Sequence, residues 1–130
     1  MIWTRFAPSP TGYLHEGHVL SAAWVWGMAQ RCRAKVLLRI EDHDLSRCRE
    51  EYVTAIREDL LWLGFHWDRE TRQSSHPERY FSAVNRLQQS EFPLYACFCS
   101  RKAISRFQPN SPELRYPGTC RRRAQPWQPG

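Results

Sequence analysis

The spacing of apolar side chains changes several times along the chain, and each change marks an element. Ile2 to Ala7 reads as a short strand that runs into Pro8, Ser9, Pro10, Thr11 and Gly12, a stretch that cannot be helix. The loop ends at His15-Glu16-Gly17-His18, after which Val19, Leu20, Ala22, Ala23, Val25, Trp26 and Ala29 recur at helical spacing. A largely buried helix is therefore expected from about His18 to Arg31. Lys35 to Ile40 comes next, and its continuous Val36-Leu37-Leu38 run is that of a strand covered on both faces. Strand, loop, helix and strand make a βαβ unit, whose right-handed crossover places the two strands parallel and adjacent.

The cluster Glu41-Asp42-His43-Asp44 falls at the carboxyl end of the second strand, the edge where ligands sit in open α/β sheets. Asp42 and Asp44 are expected to pair with Arg39, Arg47 or Arg49 and to cap the next helix. That helix is expected from Arg49 to Leu63, with Tyr52, Val53, Ile56, Leu60 and Leu63 on one stripe and Gly64 as its stop. Trp62, Leu63 and Trp67 read as core rather than base-stacking residues. Another helix begins near Ser75, with Pro77 in its first turn and Tyr80, Phe81, Val84 and Leu87 inward. Leu94 to Phe98 reads as a strand. The segment after it is basic and rich in proline, with no pattern in Ala124 to Gly130 and no internal repeat.

Composition narrows the class. With 130 residues, 42% hydrophobic and 25% charged, the chain is an ordinary globular protein, which excludes disorder as its main state. No stretch approaches the ~20 apolar residues of a membrane helix, and the start lacks a leader pattern, so a cytoplasmic location is expected. The formal charge of +6 lies wholly after Cys97, where seven basic residues oppose Glu113 alone. Seventeen of the 19 basic residues are arginine, which suits phosphate recognition through a planar fork and equally fits a nucleotide bias in the source genome.

Two constellations carry candidate chemistry. A loop between a parallel strand and a helix N-terminus presents N–H groups and the positive end of the helix dipole to an anion. His15 and His18 stand there, with Gly17 permitting close approach of a ligand; they could hydrogen-bond phosphate oxygens, or serve only as a capping pair. Cys97-x-Cys99 and the later Cys120 offer three thiolates that suit zinc but leave a tetrahedral site one ligand short. Plain burial is the alternative for cysteines in a cytosolic chain, and Cys32 and Cys48 stand outside the pattern as buried or incidental residues.

Taken in order, Arg5-Phe6-Ala7-Pro8-Ser9-Pro10-Thr11-Gly12, Leu14-His15-Glu16-Gly17-His18, Leu38-Arg39-Ile40-Glu41-Asp42-His43-Asp44 and Leu61-Trp62-Leu63-Gly64-Phe65-His66-Trp67-Asp68 resemble the glutamyl-tRNA synthetase family of class I aminoacyl-tRNA synthetases. The resemblance runs from Trp3 to Arg121. It implies the N-terminal half of a Rossmann-type α/β catalytic fold that activates glutamate with ATP and Mg2+, carrying a small zinc-binding insertion. Arg5, Phe6, Ala7, Pro8 and Ser9 would form the glutamate pocket, Glu41 would hold the substrate ammonium, and His15, Gly17 and His18 would act on the ATP phosphates. Family members carry C-x-C followed by Y-x-x-x-C around zinc, which here implies Cys97, Cys99, Tyr116 and Cys120 as ligands.

Sixteen residues separate Cys99 from Tyr116, and Cys99-Ser100-Arg101-x-x-Ile104 continues from the pair. This compact form resembles the glutamyl-queuosine tRNA(Asp) synthetases more than the full-length glutamyl-tRNA synthetases, which remain the alternative. The partners so implied are L-glutamate, ATP and tRNA(Asp), with no membrane, and a monomer is expected. The expected organisation is a first Rossmann half over 1–96, a zinc-binding segment over 97–121 and a patternless, truncated end over 122–130. The family's K-M-S-K-S loop has no counterpart, since Lys35 and Lys102 are the only lysines, so activity of the chain alone is expected to be incomplete. A non-catalytic zinc-bearing module that binds ATP or tRNA is the reading of another class.

Overall fold

A computed structural model describes residues 1–91, 94–107, 113–124 and 126. The chain divides into two compact units, Met1–Glu78 and Arg79–Gly130. In the first unit β1 (Trp3–Phe6), α1 (Glu16–Cys32), β2 (Lys35–Ile40), α2 (Glu50–Trp62) and β3 (Arg69–Arg72) succeed one another. The three strands form a parallel sheet in the order β1-β2-β3. β1 and β2 are adjacent and parallel, with Thr4 opposite Val36 and Phe6 opposite Leu38, as the βαβ pattern predicts.

One face of this sheet is covered. Phe6, Leu38 and Ile40 pack with Ala22 of α1 and with Val53, Ile56 and Leu60 of α2 in a single buried cluster. Trp26 extends it, with its ring edge-on to Phe6 at 5.6 Å and its indole N–H donating to the His66 carbonyl at 2.6 Å. The alternate residues Trp3, Arg5, Leu37 and Arg39 belong to the other face, where Leu37 and Arg39 are half-buried and Trp3 and Arg5 exposed. Val36-Leu37-Leu38 is thus covered on one side only, contrary to expectation, because α1 and α2 both pack on the same side.

α1 is likewise half-covered rather than largely buried. Ala22 and Ala29 are buried, whereas Leu20 and Trp24 are each 73% exposed. An apolar-all-round helix can turn only one face to a sheet. Trp62 is 85% exposed and so is not core, while Trp67 does pack against the buried cluster. α2 ends as expected at Gly64, whose φ of +80° closes the helix. The Gly64 and Phe65 N–H groups donate to the Leu61 and Leu60 carbonyls, a paired closure that needs a left-handed residue.

β3 is an element that hydrophobic patterning missed, for its sequence is Arg-Glu-Thr-Arg. Its register sets Glu70 beside Leu38 and Arg72 beside Ile40. Arg57 of α2 donates to Glu70, and Arg72 donates to Glu50 of α2, so ion pairs tie this strand to the helix layer. Asp68 just before it accepts the Val36 N–H at 2.8 Å.

α3 (Pro77–Gln88) leads into the second unit, which also holds α4 (Arg101–Phe107) and α5 (Thr119–Arg123). The apolar stripe of α3 is not buried: Tyr80, Phe81 and Leu87 are exposed and Val84 is half-buried. Residues 94–100 are irregular, not the expected strand, because no strand of the second unit offers them a ladder among the described residues. α4 starts at Ser100, whose hydroxyl accepts the Ala103 N–H, an N-cap that the basic composition obscured. α5 takes in Arg122 and Arg123, the start of the 122–130 end expected to be patternless, while residues 125 and 127–130 of that stretch lie outside the described residues. So do residues 108–112 of the linker between Cys99 and Tyr116. Among the described residues no helix is long and apolar enough to cross a membrane.

Candidate active site and candidate metal centre

The loop between β1 and α1 is pinned at its prolines. Pro8 and Pro10 are buried, the Glu41 N–H donates to the Pro8 carbonyl at 3.0 Å, and the Arg49 N–H donates to the Pro10 carbonyl at 3.1 Å. Proline carbonyls thus tie the loop to the carboxyl end of β2 and to the start of α2. The result is a cleft of about 540 Å³ lined by Arg5, Phe6, Ala7, Pro8, Ser9, His15 and His18, among others.

The two histidines cap α1. His15 is the N-cap, and its Nδ1 accepts the Gly17 N–H at 3.1 Å, while Nδ1 of His18 accepts the His15 N–H at 3.3 Å. The capping alternative therefore holds, and it carries a chemical consequence. A neutral imidazole whose Nδ1 accepts must carry its proton on Nε2. Both rings, with centroids 3.9 Å apart, are thereby set as Nε2–H donors. Burial and the neighbouring His15 pull the His18 pKa below the ordinary 6.5, which keeps the ring uncharged near neutrality. Gly17 serves this arrangement, since a Cβ there would lie 3.0 Å from Cε1 of His15. The room that this glycine leaves is taken by the His15 ring.

The lowered pKa gives a pH prediction. His18 binds its proton more weakly in the folded chain than in the unfolded one, so its contribution is present above about 6.5 and lost as pH falls through the lower folded value. An NMR titration of the imidazole Cε1–H signals should place the His18 midpoint below 6.5. A midpoint at or above that value would mean that burial and the neighbouring His15 do not disfavour the charged ring.

The structure does not bring Glu41 or Gly17 into the lining of that cleft. Gly17 lines a neighbouring apolar groove with Leu14, Val19, Leu20 and Ala23. Glu41 is half-buried, with Oε1 3.7 Å from Arg39 Nε. Asp42 and Asp44 are structural, in a way that sequence proximity foretold only in part. Asp44 pairs with Arg47 at 2.7 Å, and the Ser46 hydroxyl together with Arg47 holds its carboxyl down to about 2. Buried Asp42 instead accepts the N–H and hydroxyl of Ser74, with Arg72 4.0 Å away, and neither aspartate caps α2. Ser74 is a residue that local reasoning could not find, because it lies 32 positions away.

In the second unit the sulfurs of Cys97, Cys99 and Cys120 lie within 4.8 Å of one another. Cys99 and Cys120 share a 3.5 Å hydrogen bond. The sulfur–sulfur edge of a tetrahedral zinc site is about 3.8 Å, from Zn–S bonds of about 2.3 Å, so the three thiols have the spacing that such an ion requires. Tyr116 reaches the same place: its hydroxyl oxygen accepts the Cys120 N–H at 2.9 Å and the Arg121 N–H at 3.2 Å. Protons are unevenly held here. Donating a hydrogen bond to Cys120 pushes Cys99 up to about 11, and burial with a Cys97 hydrogen bond pushes Tyr116 up to about 12. The Phe98 N–H and the Cys99 thiol hold Cys120 below its ordinary value. Three sulfurs and a phenol oxygen fit a zinc ion that would displace these protons. Cys32 is exposed and Cys48 half-buried, and neither is a member of this group.

Known proteins match this arrangement. The family model described as class I tRNA synthetases (E and Q), catalytic domain, matches residues 1–125. Glutamate–tRNA ligase 1 of Ruegeria pomeroyi is 49% identical over 87 residues, which are 67% of this chain and 20% of that protein. Glutamate–tRNA ligase 2 of Nitrosococcus oceani is 42% identical over an alignment covering 92% of this chain and 28% of its own length. A crystal structure of a glutamate tRNA ligase from Elizabethkingia meningosepticum, in complex with its amino acid, superposes with a TM-score of 0.69 at 28% identity, covering 83% of this chain and 23% of that one. The chain spans between a fifth and somewhat over a quarter of these relatives. With four ordered motifs on a parallel βαβ frame and a family match over nearly its whole length, the chain belongs to the class I glutamyl- and glutaminyl-tRNA synthetase family, in its catalytic domain.

Proposed function

We propose that the chain carries part of a glutamate-activating site of the glutamyl-tRNA synthetase kind, in which ATP and glutamate meet at the β1–α1 loop. The observation that carries this reading is the histidine pair, whose cap consumes both Nδ1 atoms and leaves two Nε2–H donors at a cleft also lined by Arg5 and Ser9. In this reading the substrate carboxylate attacks the α-phosphorus of ATP in line and pyrophosphate departs. His15 and His18 stabilise the charge that grows on phosphate oxygens, by hydrogen bonding without proton transfer. Arg5 grips a carboxylate with its planar fork, the loop residues Phe6 to Ser9 shape the pocket, and Glu41 takes the ammonium by exchanging its loose pairing with Arg39. Mg2+ accompanies ATP as part of the substrate. Gly17 acts by letting the His15 ring fold over the helix start.

Cys97, Cys99, Tyr116 and Cys120 would hold a structural zinc that cross-links segment 97–121, with residues 1–96 as the first part of the Rossmann-type domain. The similarity to glutamate–tRNA ligases favours tRNA(Glu) as the acceptor. The compact spacing of Cys99 and Tyr116 favours the glutamyl-queuosine reading, with transfer to tRNA(Asp). Fluorescence anisotropy with the two tRNAs separates them, through preference for one or the other.

The phosphate role is tested by His15→Ser, because serine is a good N-cap whose short hydroxyl does not carry a donor out to the position of the imidazole Nε2–H. The variant should keep the helicity and melting midpoint of the chain while binding a non-hydrolysable ATP analogue about tenfold more weakly, the loss of one hydrogen bond of about 1.4 kcal/mol. Unchanged affinity in calorimetry would reduce the histidines to a cap. Glutamate-dependent ATP–pyrophosphate exchange by the chain itself should be weak or absent, since no K-M-S-K-S loop is present to stabilise the leaving group.

A further inference from the structure

The second unit holds three thiols in reach of one another and scarcely any apolar core. Cys120 is the one buried side chain among its described residues, and α3 and α4 bury none. Whatever bridges the sulfurs therefore holds these segments together. Cys99 and Cys120 are 3.5 Å apart, with Cys99 half-exposed and Cys120 buried beside it. Cys97 is exposed and separated from Cys99 by a single residue, so a bond between those two would close a strained ring.

We propose that Cys99 and Cys120 form a reversible disulfide under peroxide, making this cluster a redox modification site that exchanges a metal cross-link for a covalent one. One thiol of the pair attacks a peroxide oxygen, the O–O bond breaks, and a sulfenic acid forms with release of one water. The other thiol then attacks that sulfur; the S–O bond breaks, the S–S bond forms, and the hydroxyl leaves with the second thiol's proton as a second water. The two sulfurs together give up two electrons and hydrogen peroxide accepts them. With zinc bound, Cys97 and Tyr116 alone would not retain the ion, which would be released as the bond forms. The metal-release part rests on the zinc reading under the proposed function; the disulfide does not.

The test treats chelator-stripped and zinc-loaded chains with stoichiometric hydrogen peroxide. Free thiols are then alkylated and the chain is cleaved with chymotrypsin, whose cut after Phe98 separates Cys97 from Cys99. Mass spectrometry should find a Cys99–Cys120 cross-link lacking two hydrogens, an alkylated Cys97, and reversal by dithiothreitol in both samples. In the loaded sample a chromogenic dye should register one equivalent of zinc released in step with the cross-link. A dominant disulfide through Cys97, or oxidation that runs to sulfinic acid without a cross-link, overturns the proposal. Failure to load zinc while the Cys99–Cys120 cross-link still forms overturns the metal reading and leaves the redox site standing. Cys97→Ser should leave the Cys99–Cys120 cross-link in place and reversible by dithiothreitol; its loss counts against the assignment.

Discussion

Cys120→Ser should unfold the second unit and leave the first intact. No other described side chain of the unit is buried, and its short helices end in exposed arginine and aromatic residues. Burial cannot then supply its stability, and small units without a core rely on cross-links. Structural zinc contributes about 10–16 kcal/mol of apparent binding energy in small metal-folded domains. On the proposed zinc reading, removing the thiol 3.5 Å from Cys99, whose own N–H meets the Tyr116 oxygen, forfeits most of that. Hydrogen exchange read by mass spectrometry should show amides of 94–107 and 113–124 exchanging within seconds in the variant. Peptides from β1, β2 and α2 should keep wild-type protection. Retained protection in the variant would show that the cluster does not organise the unit.

The second large effect belongs to the sheet. Leu38 is fully buried on β2, the strand with a neighbour on each side, and belongs to the cluster of Phe6, Ile40, Val53, Ile56 and Leu60. Leu38→Ala should cost about 3 kcal/mol, the transfer term plus an unfilled cavity. That is a large share of the ~5 kcal/mol available to a small domain. Its neighbour Leu37 belongs to the opposite face and is only half-buried, so Leu37→Ala should cost less than about 1 kcal/mol. Urea titrations should show the first midpoint far below wild type and the second close to it, at equal slopes. Equal costs would mean that both faces of β2 are covered and that the sheet is not one-sided.

The same two residues show how far sequence reading reaches. Val36, Leu37 and Leu38 form an unbroken apolar run, and such a run signals a buried parallel strand without saying which layers are present to bury it. β1, α1, β2 and α2 were legible because their apolar residues recur at the period of each element, and Gly64 marked a stop that its positive φ explains. β3 was illegible because its signal is ionic: Arg57 with Glu70 and Glu50 with Arg72 replace apolar packing, and ion pairs have no period. The inward face assigned to α3 failed for the opposite reason. Its amphipathic spacing is genuine, yet spacing names a face and not the surface that covers it.

At the candidate site the motifs located the right residues and left their connections open. His15 and His18 could cap or bind; three apart at a helix start, they do the first in a form that prepares the second. Asp42 was placed by its neighbours in sequence with nearby arginines, and tertiary structure gave it Ser74 instead.

Composition and motif order by themselves determined the family, the parallel βαβ frame and the three sulfurs of the candidate metal centre, because these depend on residue type and on separations along the chain. Tertiary structure alone decided that the sheet is covered on one face, that the Tyr116 oxygen accepts the Cys120 and Arg121 N–H groups, and that the histidine tautomers are set by the cap. Each of these depends on the conformation in which the folded chain holds its donors and apolar surfaces, near or far in sequence, and a linear pattern does not encode that.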